Sequence, residues 1–324
     1  MKVLVTGGAG YIGSCVSQYL IDKGIKVIVV DNLSTGLKRN IPKKCKFYKC
    51  NIQDSRKINK IFNKNKIDIV MHFAAYVDNA ESILRSKKYF KNNYYNGKIF
   101  FTNCINNGID KIIYSSTAAV YGNKKKKINE KDILKPLTPY SSSKILLEEF
   151  LEKNKKDLSC IVLRYFNVVG ADTRLRCGFN INRGSNVFLN LCRSTSKNKK
   201  FNINGKSHDT KDGTTIRDFI HVSDLSEVHY KLSKLITKKK IFLKLNCGYG
   251  FGFSVLEVLQ EFIRVSKKKI NYKFVKKRKG DIVTSISNSS KLKKIIKWQP
   301  KHHSLSYLVK SSLNWYKKNE KLTN

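Results

Sequence analysis

Tyr140 and Lys144, in the stretch TPYSSSK (138–144), are four residues apart. On a helix that spacing puts two side chains on one face, with Cβ atoms about 6 Å apart. At an effective dielectric near about 20, an ammonium there favours a phenolate by about 2.8 kcal/mol, roughly two pKa units. A tyrosine so tuned serves as a general base close to neutral pH. Spacing alone does not select the pair, because Tyr-x-x-x-Lys also begins at Tyr19, Tyr94, Tyr121, Tyr230 and Tyr272. Position does. Pro139, followed by Ile145, Leu146, Leu147, Phe150 and Leu151, sets Tyr140 at the entry of a helix. Upstream, a strand ending YSSTAAVYG (114–122) offers the hydroxyl of Thr117.

A second group of residues lies at the start of the chain. VLVTGGAGYIG (3–13) places Gly7, Gly10 and Gly13 where a first strand turns into a first helix. The strand must turn sharply, the backbone must approach a pyrophosphate and the helix must pack close to the sheet; side chains obstruct all three. The helix N-terminus then offers free N–H groups to phosphates. Asp31 ends the second strand, where a carboxylate accepts both ribose hydroxyls of NAD and repels a 2′-phosphate. No arginine follows in DNLSTG (31–36), so NAD is expected over NADP. Asn51 and Ile52, ending a third strand, are expected near adenine, and small Ala74 and Ala75 let backbone lie against the cofactor. The alternative is a bare glycine turn.

These residues need a scaffold. Apolar runs at 2–7, 26–31, 46–51, 67–75, 111–117 and 159–167 lack polar alternation, as parallel strands buried on both faces do. Helical stretches are expected between them at 11–23, 55–64, 81–106 and 141–154. This rhythm predicts an α/β fold, a Rossmann-type doubly wound parallel sheet with a smaller α/β C-terminal domain. The boundary is expected at 167: residues 1–167 bind the cofactor, completed by segments returning near 215–248, and 168–324 mainly hold substrate. Residues 171–186 read as a long functional loop. A helix at 187–196, a strand FNING and a hairpin near 205–214 follow. Residues 217–236 read as a strand capped into a helix by Ser223 or Asp224. Strands at 242–248 and NYKFV, with helices at 254–265, 289–297 and 304–318, complete the chain.

Lys+Arg 65 against Asp+Glu 23 gives a net charge of +42, which raises nucleic acid or an anionic membrane as partners. The lysines are scattered and accompanied by many Asn and Ile, the mixture that AT-rich codon usage produces. Neither nucleic acid nor membrane is therefore expected. The eight cysteines form no C-x-x-C and no Cys/His cluster with zinc spacing, so no metal is expected. No apolar run is long enough to cross a bilayer and no cleavable signal is evident, so a reduced, cytoplasmic setting is expected.

GGAGYIG, DNLSTG, HFAA, SSTAAVYG, PYSSSK, LRYFNVVGAD, DGTTIRDFIHVSDL, LNCGYGFGFSV and KGD together span nearly the whole sequence. On them the chain resembles the extended short-chain dehydrogenase/reductase family, and within it the enzymes that epimerise UDP-sugars. The resemblance implies interconversion of UDP-glucose and UDP-galactose by oxidation and re-reduction at carbon 4. It makes Tyr140 the base, with Thr117 bonding the same oxygen and Lys144 holding the nicotinamide ribose. It adds Tyr11, Ile12, Asn32, Ser34, Thr35, Gly36, Phe73, Asn93 and Phe166 to the cofactor site. Asn167, Asn186, Arg217 and Arg278 match UDP-contacting positions, with Asp281 beside the ribose; forked arginine donors suit a diphosphate. A surface ion pair with Asp218 is the alternative for Arg217. A homodimer through the helices at 81–106 and 141–154 is also implied.

Several positions depart from the family pattern. Asn51 stands for an Asp, Val77 for a frequent Lys, SSS (141–143) follows Tyr140 where Gly is commoner, and Asn204 replaces an often aromatic residue on uracil. Ser285 is small where the family can be large, which leaves room for an N-acetyl group and hence UDP-GlcNAc. A sister epimerase acting on UDP-glucuronate or a UDP-pentose stays open. A 4,6-dehydratase needs an acid and a base where this chain has Ala118 and Ala119, and a non-catalytic NAD-binding regulator has no need of a tuned base.

Overall fold

The computed structural model describes residues 1–124, 126–184, 186–278 and 281–321. Strands β1 (Lys2–Thr6), β2 (Lys26–Asp31), β3 (Lys46–Lys49), β4 (Ile69–His72), β5 (Lys111–Thr117) and β6 (Ser159–Tyr165) join the strand Phe242–Cys247 in one parallel sheet. From edge to edge the order is Phe242–Cys247, β6, β5, β4, β1, β2, β3. The order reverses between β1 and β4, which opens a crevice beyond their C-terminal ends. This is the doubly wound α/β fold expected.

Neighbouring residues of each strand feed opposite cores, which is why the strands are apolar throughout. On β1, Val3 and Val5 face helix α1 (Tyr11–Asp22) and the helix Val222–Ile236. Leu4 faces the helices Ser55–Lys64, Asn96–Asn106 and Pro139–Lys153. A third core forms after residue 168, where Phe188, Leu191, Phe201, Leu259, Phe262 and Trp315 pack helices 187–197, 255–266 and 305–320 around the paired strands Phe201–Asn204 and Tyr272–Val275.

The expected helix over 81–106 is broken. Asp78 caps Asn79–Leu84 by accepting from Glu81 N, Arg85 leaves helical geometry (φ −130°, ψ 48°), and Phe90–Tyr95 forms a wider π turn before Asn96–Asn106. That turn lets Asn93 reach the backbone of Tyr76, a tertiary demand that helix periodicity does not carry. The cap before Val222–Ile236 is His221, whose Nδ1 accepts from Ser223 N, in place of Ser223 or Asp224. Residues 205–214 make turns without strand pairing: Asp212 accepts from Thr214 N at 2.8 Å, and that Asx turn uses the amide a hairpin ladder needs. Strand β4 stops at His72, because Phe73 to Ala75 leave the sheet to line the crevice. Among the described residues no helix is long and apolar enough to cross a membrane, and no His/Cys/Asp/Glu group could hold a metal ion.

Candidate active site

Beyond the ends of β1, β2 and β4 lies a cavity of about 330 Å³. The turn from β1 into α1 shapes it. Gly7 has φ +70°, and a Cβ there would sit 2.7 Å from Ala74 N; a Cβ on Gly13 would sit 2.4 Å from Gly7 O. Both obstacles are backbone, so only glycine lets turn, helix and the segment after β4 close together. Helix α1 starts at Gly10 with no side-chain cap and no acid in its first turn. Gly10, Tyr11, Ile12 and Gly13 line the cavity, so the uncapped first-turn amides are available to an anion there. At the end of β2, the Asp31 carboxylate accepts from Ala9 N (3.0 Å) and Leu33 N (2.7 Å). Burial raises its pKa, and those two bonds oppose the rise. Glycine cradle, open helix end and carboxylate fit a dinucleotide's pyrophosphate and ribose.

Asn32, Ser34, Thr35, Ile52, Phe73, Ala74, Ala75 and Phe166 also line this cavity, and so does Asn186, which was expected at the UDP and is absent from the second cavity described below. Three other candidates do not. Gly36 packs on Ala9, and exposed Asn51 accepts from Asn32 Nδ2 at 2.8 Å. Asn93 is buried: its Oδ1 accepts from Tyr76 N and its Nδ2 donates to Tyr76 O, both at 2.9 Å, and to Ser143 Oγ at 3.2 Å. It ties the loop after β4 to the helix Pro139–Lys153, while its neighbour Asn92 faces the cavity. Gln53, Tyr76, Val77, Ser115, Ser116 and Tyr165 are lining residues absent from the sequence reading. Val77 was noted only as a departure; Gln53, Tyr76, Ser116 and Tyr165 lie next to a named position at a strand end and Ser115 two residues before Thr117, and that nearness was the available signal.

The helix Pro139–Lys153 is entered through Thr138, whose Oγ1 accepts from Ser141 N at 3.3 Å, with Pro139 in the first turn. Tyr140 is 7% exposed and lines the cavity with Thr117 at the end of β5, whose hydroxyl favours its phenolate. One turn on, Lys144 is 2% exposed; its Nζ donates to Ser115 O at 2.7 Å and stands 4.8 Å from the centre of the Tyr114 ring. Burial pushes Tyr140 up to about 12, with the Thr117 hydroxyl opposing. It pulls Lys144 down to about 7, with the Glu148 charge opposing. Lys144 was expected to lower Tyr140, with a nicotinamide cation and the helix N-terminus pushing the same way. The direction reverses because both groups are desolvated, which disfavours phenolate and ammonium alike and outweighs their attraction.

A second cavity, about 180 Å³, adjoins the first and is lined by Asn167, Arg217, Asp281, Ser285, Ala118 and Ala119 among others. Thr117, Tyr165 and Phe166 line both cavities. Arg217 Nη1 donates to Ile216 O (2.9 Å) and Val283 O (3.2 Å). Among the described residues no hydrogen bond engages its Nε and Nη2. Burial lowers its pKa to about 10, with Asp281 opposing. The alternative ion pair with Asp218 does not form: Asp218 is fully buried and accepts from Tyr249 N, Gly250 N and Ser287. Arg278 is exposed and lines neither cavity. Lys279 and Gly280 of the KGD stretch lie outside the described residues.

A glycine-cradled crevice at the switch point, with Thr117 and the buried Tyr140 and Lys144 lining it, defines an enzyme of the dinucleotide-dependent α/β class. The chain belongs to the NAD dependent epimerase/dehydratase family, which it matches over residues 3–248. It is 36% identical over 318 residues to the UDP-glucose 4-epimerase of Azospirillum brasilense, covering 97% of this chain and 91% of that one. Among solved structures it resembles UDP-glucose-4-epimerase from Stenotrophomonas maltophila with bound NAD and formylated UDP-arabinopyranose (TM-score 0.95, 29% identity, 99% of each chain). It also resembles the UDP-Glc/GlcNAc 4-epimerase of Campylobacter jejuni (TM-score 0.85, 34% identity, 98% of this chain and 99% of that one).

Proposed function

We propose that this chain interconverts UDP-glucose and UDP-galactose by reversible oxidation at carbon 4 of the hexose. The observation that carries this is the meeting of two cavities at Thr117, with Tyr140 and Lys144 lining the first of them. One cavity suits a dinucleotide. The other offers Arg217, Asn167 and Asp281 to a sugar nucleotide.

NAD, when bound, supplies a hydride acceptor that later returns the same hydride. Gly7, Gly10, Gly13 and the open end of α1 hold its pyrophosphate, and Asp31 holds a ribose. Tyr140 as phenolate accepts the proton of the sugar 4-hydroxyl, and Thr117 fixes that oxygen. Lys144, as an ammonium beside it, favours the phenolate; its charge offsets part of what burial costs Tyr140. Tyr140 gives the proton back when hydride returns to the other face, so the net change is inversion at one carbon. Arg217 grips the diphosphate while the sugar turns. Ala118 and Ala119 have no group that moves a proton, which favours epimerisation over dehydration.

The test is incubation of UDP-galactose with the purified protein, without added NAD, and assay for UDP-glucose. Turnover is expected, and Tyr140→Phe loses about 100-fold or more of it while retaining the cofactor; undiminished turnover sinks the mechanism. Ser285 is 5% exposed in the second cavity, and its small side chain supports UDP-GlcNAc as a second substrate. The same assay with that sugar decides, and no product removes the reading.

The division near residue 167 separates a cofactor-holding part from a mainly substrate-holding part, and limited proteolysis that never cuts near it would argue otherwise. We further propose a homodimer in which a second copy covers the exposed Ile83, Leu84, Tyr95 and Ile99. A sedimenting mass of one 37.3 kDa chain rejects it. The setting proposed is cytoplasmic, supported by the free cysteines, seven of them buried; fractionation of the source cells tests it, and recovery of the protein outside the cytosol rejects it.

A further inference from the structure

Tyr140, Lys144 and Glu148 form one stripe of the helix Pro139–Lys153, four residues apart and all buried. The last three residues of β5 meet this stripe in turn. Ser115 O accepts from Lys144, the Ser116 hydroxyl bonds Glu148 Oε1, and the Thr117 hydroxyl favours the Tyr140 phenolate. Glu148 is 1% exposed and is gripped from β6 by Arg164, also 1% exposed. Arg164 Nε stands 3.1 Å from Oε1 and 3.2 Å from Oε2, and Nη1 donates to the Tyr121 hydroxyl at 2.7 Å.

A buried ion pair is weak as a stabilising device, because desolvation cancels much of the attraction. The placement of this one is informative. The other titratable groups packed around the stripe are His72 on β4, Tyr114 on β5, Tyr121 after it, and Cys160 and Tyr165 on β6. Burial holds all five neutral, as it does Tyr140 in the cofactor-free chain. Three charges remain in the packing: Lys144, Glu148 and Arg164. Lys144 loses its water and gains one carbonyl and the Tyr114 ring face, while Arg164 engages both oxygens of the Glu148 carboxylate.

We propose that Glu148, clamped by Arg164 and Ser116, is a positioning residue that keeps Lys144 protonated beside Tyr140. The proposal rests on the reading of Lys144 as the charge that favours the Tyr140 phenolate. Glu148 acts through Lys144 and touches neither cavity.

The test reads Lys144 directly, in cofactor-free protein, so that it does not depend on turnover. Trace acetic anhydride labels unprotonated amines, and mass spectrometry of the Lys144 peptide from about pH 5 to about pH 10 gives the midpoint of its titration. Glu148→Gln lowers that midpoint by about one pH unit or more, since a unit charge one helical turn away is lost and Arg164 is left to repel Lys144. Glu148→Asp keeps the charge and stays within about half a unit of the parent. If an unpaired Arg164 prevents folding, Glu148→Gln combined with Arg164→Met leaves no unpaired charge and still lowers the midpoint. A parent-like midpoint in whichever carboxylate-free variant folds overturns the proposal. In the turnover assay the alkaline limb of kcat against pH moves down with the midpoint, which a merely structural residue does not cause. If the protein turns over no UDP-sugar, the epimerase reading fails while the labelling result stands.

Discussion

Replacing Gly13 by alanine tests the closeness of the turn from β1 to α1. The new Cβ would lie 2.4 Å from Gly7 O and 3.0 Å from Gly7 C and Gly8 Cα. Ordinary contact begins near 3.4 Å, so the Gly7 carbonyl must retreat by about 1 Å, and no side chain can give way instead. That carbonyl also accepts from Gly10 N at 3.0 Å; losing this bond costs about 1 kcal/mol, and overpacking adds about 1–3 kcal/mol. Alanine returns about 1 kcal/mol of helix propensity. The net loss of about 1–3 kcal/mol falls on the geometry that holds the pyrophosphate, so NAD affinity drops by roughly 10- to 100-fold. Isothermal titration with NAD measures this. Gly97→Ala is the control: its Cβ would meet the tip of Leu147 at 2.6 Å, a flexible side chain far from the turn, and affinity stays unchanged. NAD binding by Gly13→Ala within about threefold of the parent refutes the close-approach argument.

Two other substitutions separate the roles of the cavities. Asp31→Asn keeps an acceptor for only one of Ala9 N and Leu33 N, which bond different carboxylate oxygens, and it removes the charge that repels a 2′-phosphate. The NAD over NADP preference falls by about tenfold or more, through tighter NADP binding, in parallel titrations; an unaltered ratio shows that Asp31 does not discriminate. Arg217→Met removes the free forked donors, so KM for the UDP-sugar rises by about 10- to 100-fold with kcat little changed. An unchanged KM places the diphosphate elsewhere.

The parallel sheet was legible because burial on both faces leaves an unmixed apolar run, and Val3, Leu4 and Val5 each have a core to enter. Gly7, Gly13 and Asp31 were legible because backbone crowding and a strand end admit few residue types. The break at Arg85 was not, since the π turn at 90–95 answers to Asn93 reaching Tyr76 from a distant part of the chain. The acidity of Tyr140 failed for a related reason: a pairwise Coulomb argument contains the partner but not the desolvation. Glu148 sat in plain view at the next helical turn, yet a carboxylate on a helix reads as solvent-facing until β6 supplies Arg164.

The wall shared by the two cavities is built from Thr117, Tyr165 and Phe166, all before residue 167, whereas Arg217, Asp281 and Ser285 come after it. On the proposed reading, the groups that move protons precede residue 167 and the arginine that grips the diphosphate follows it. Drift in the later stretch can retune which sugar fits without touching the groups that move protons. Exchanging the residue at 285 between such enzymes would shift preference and leave the chemistry behind.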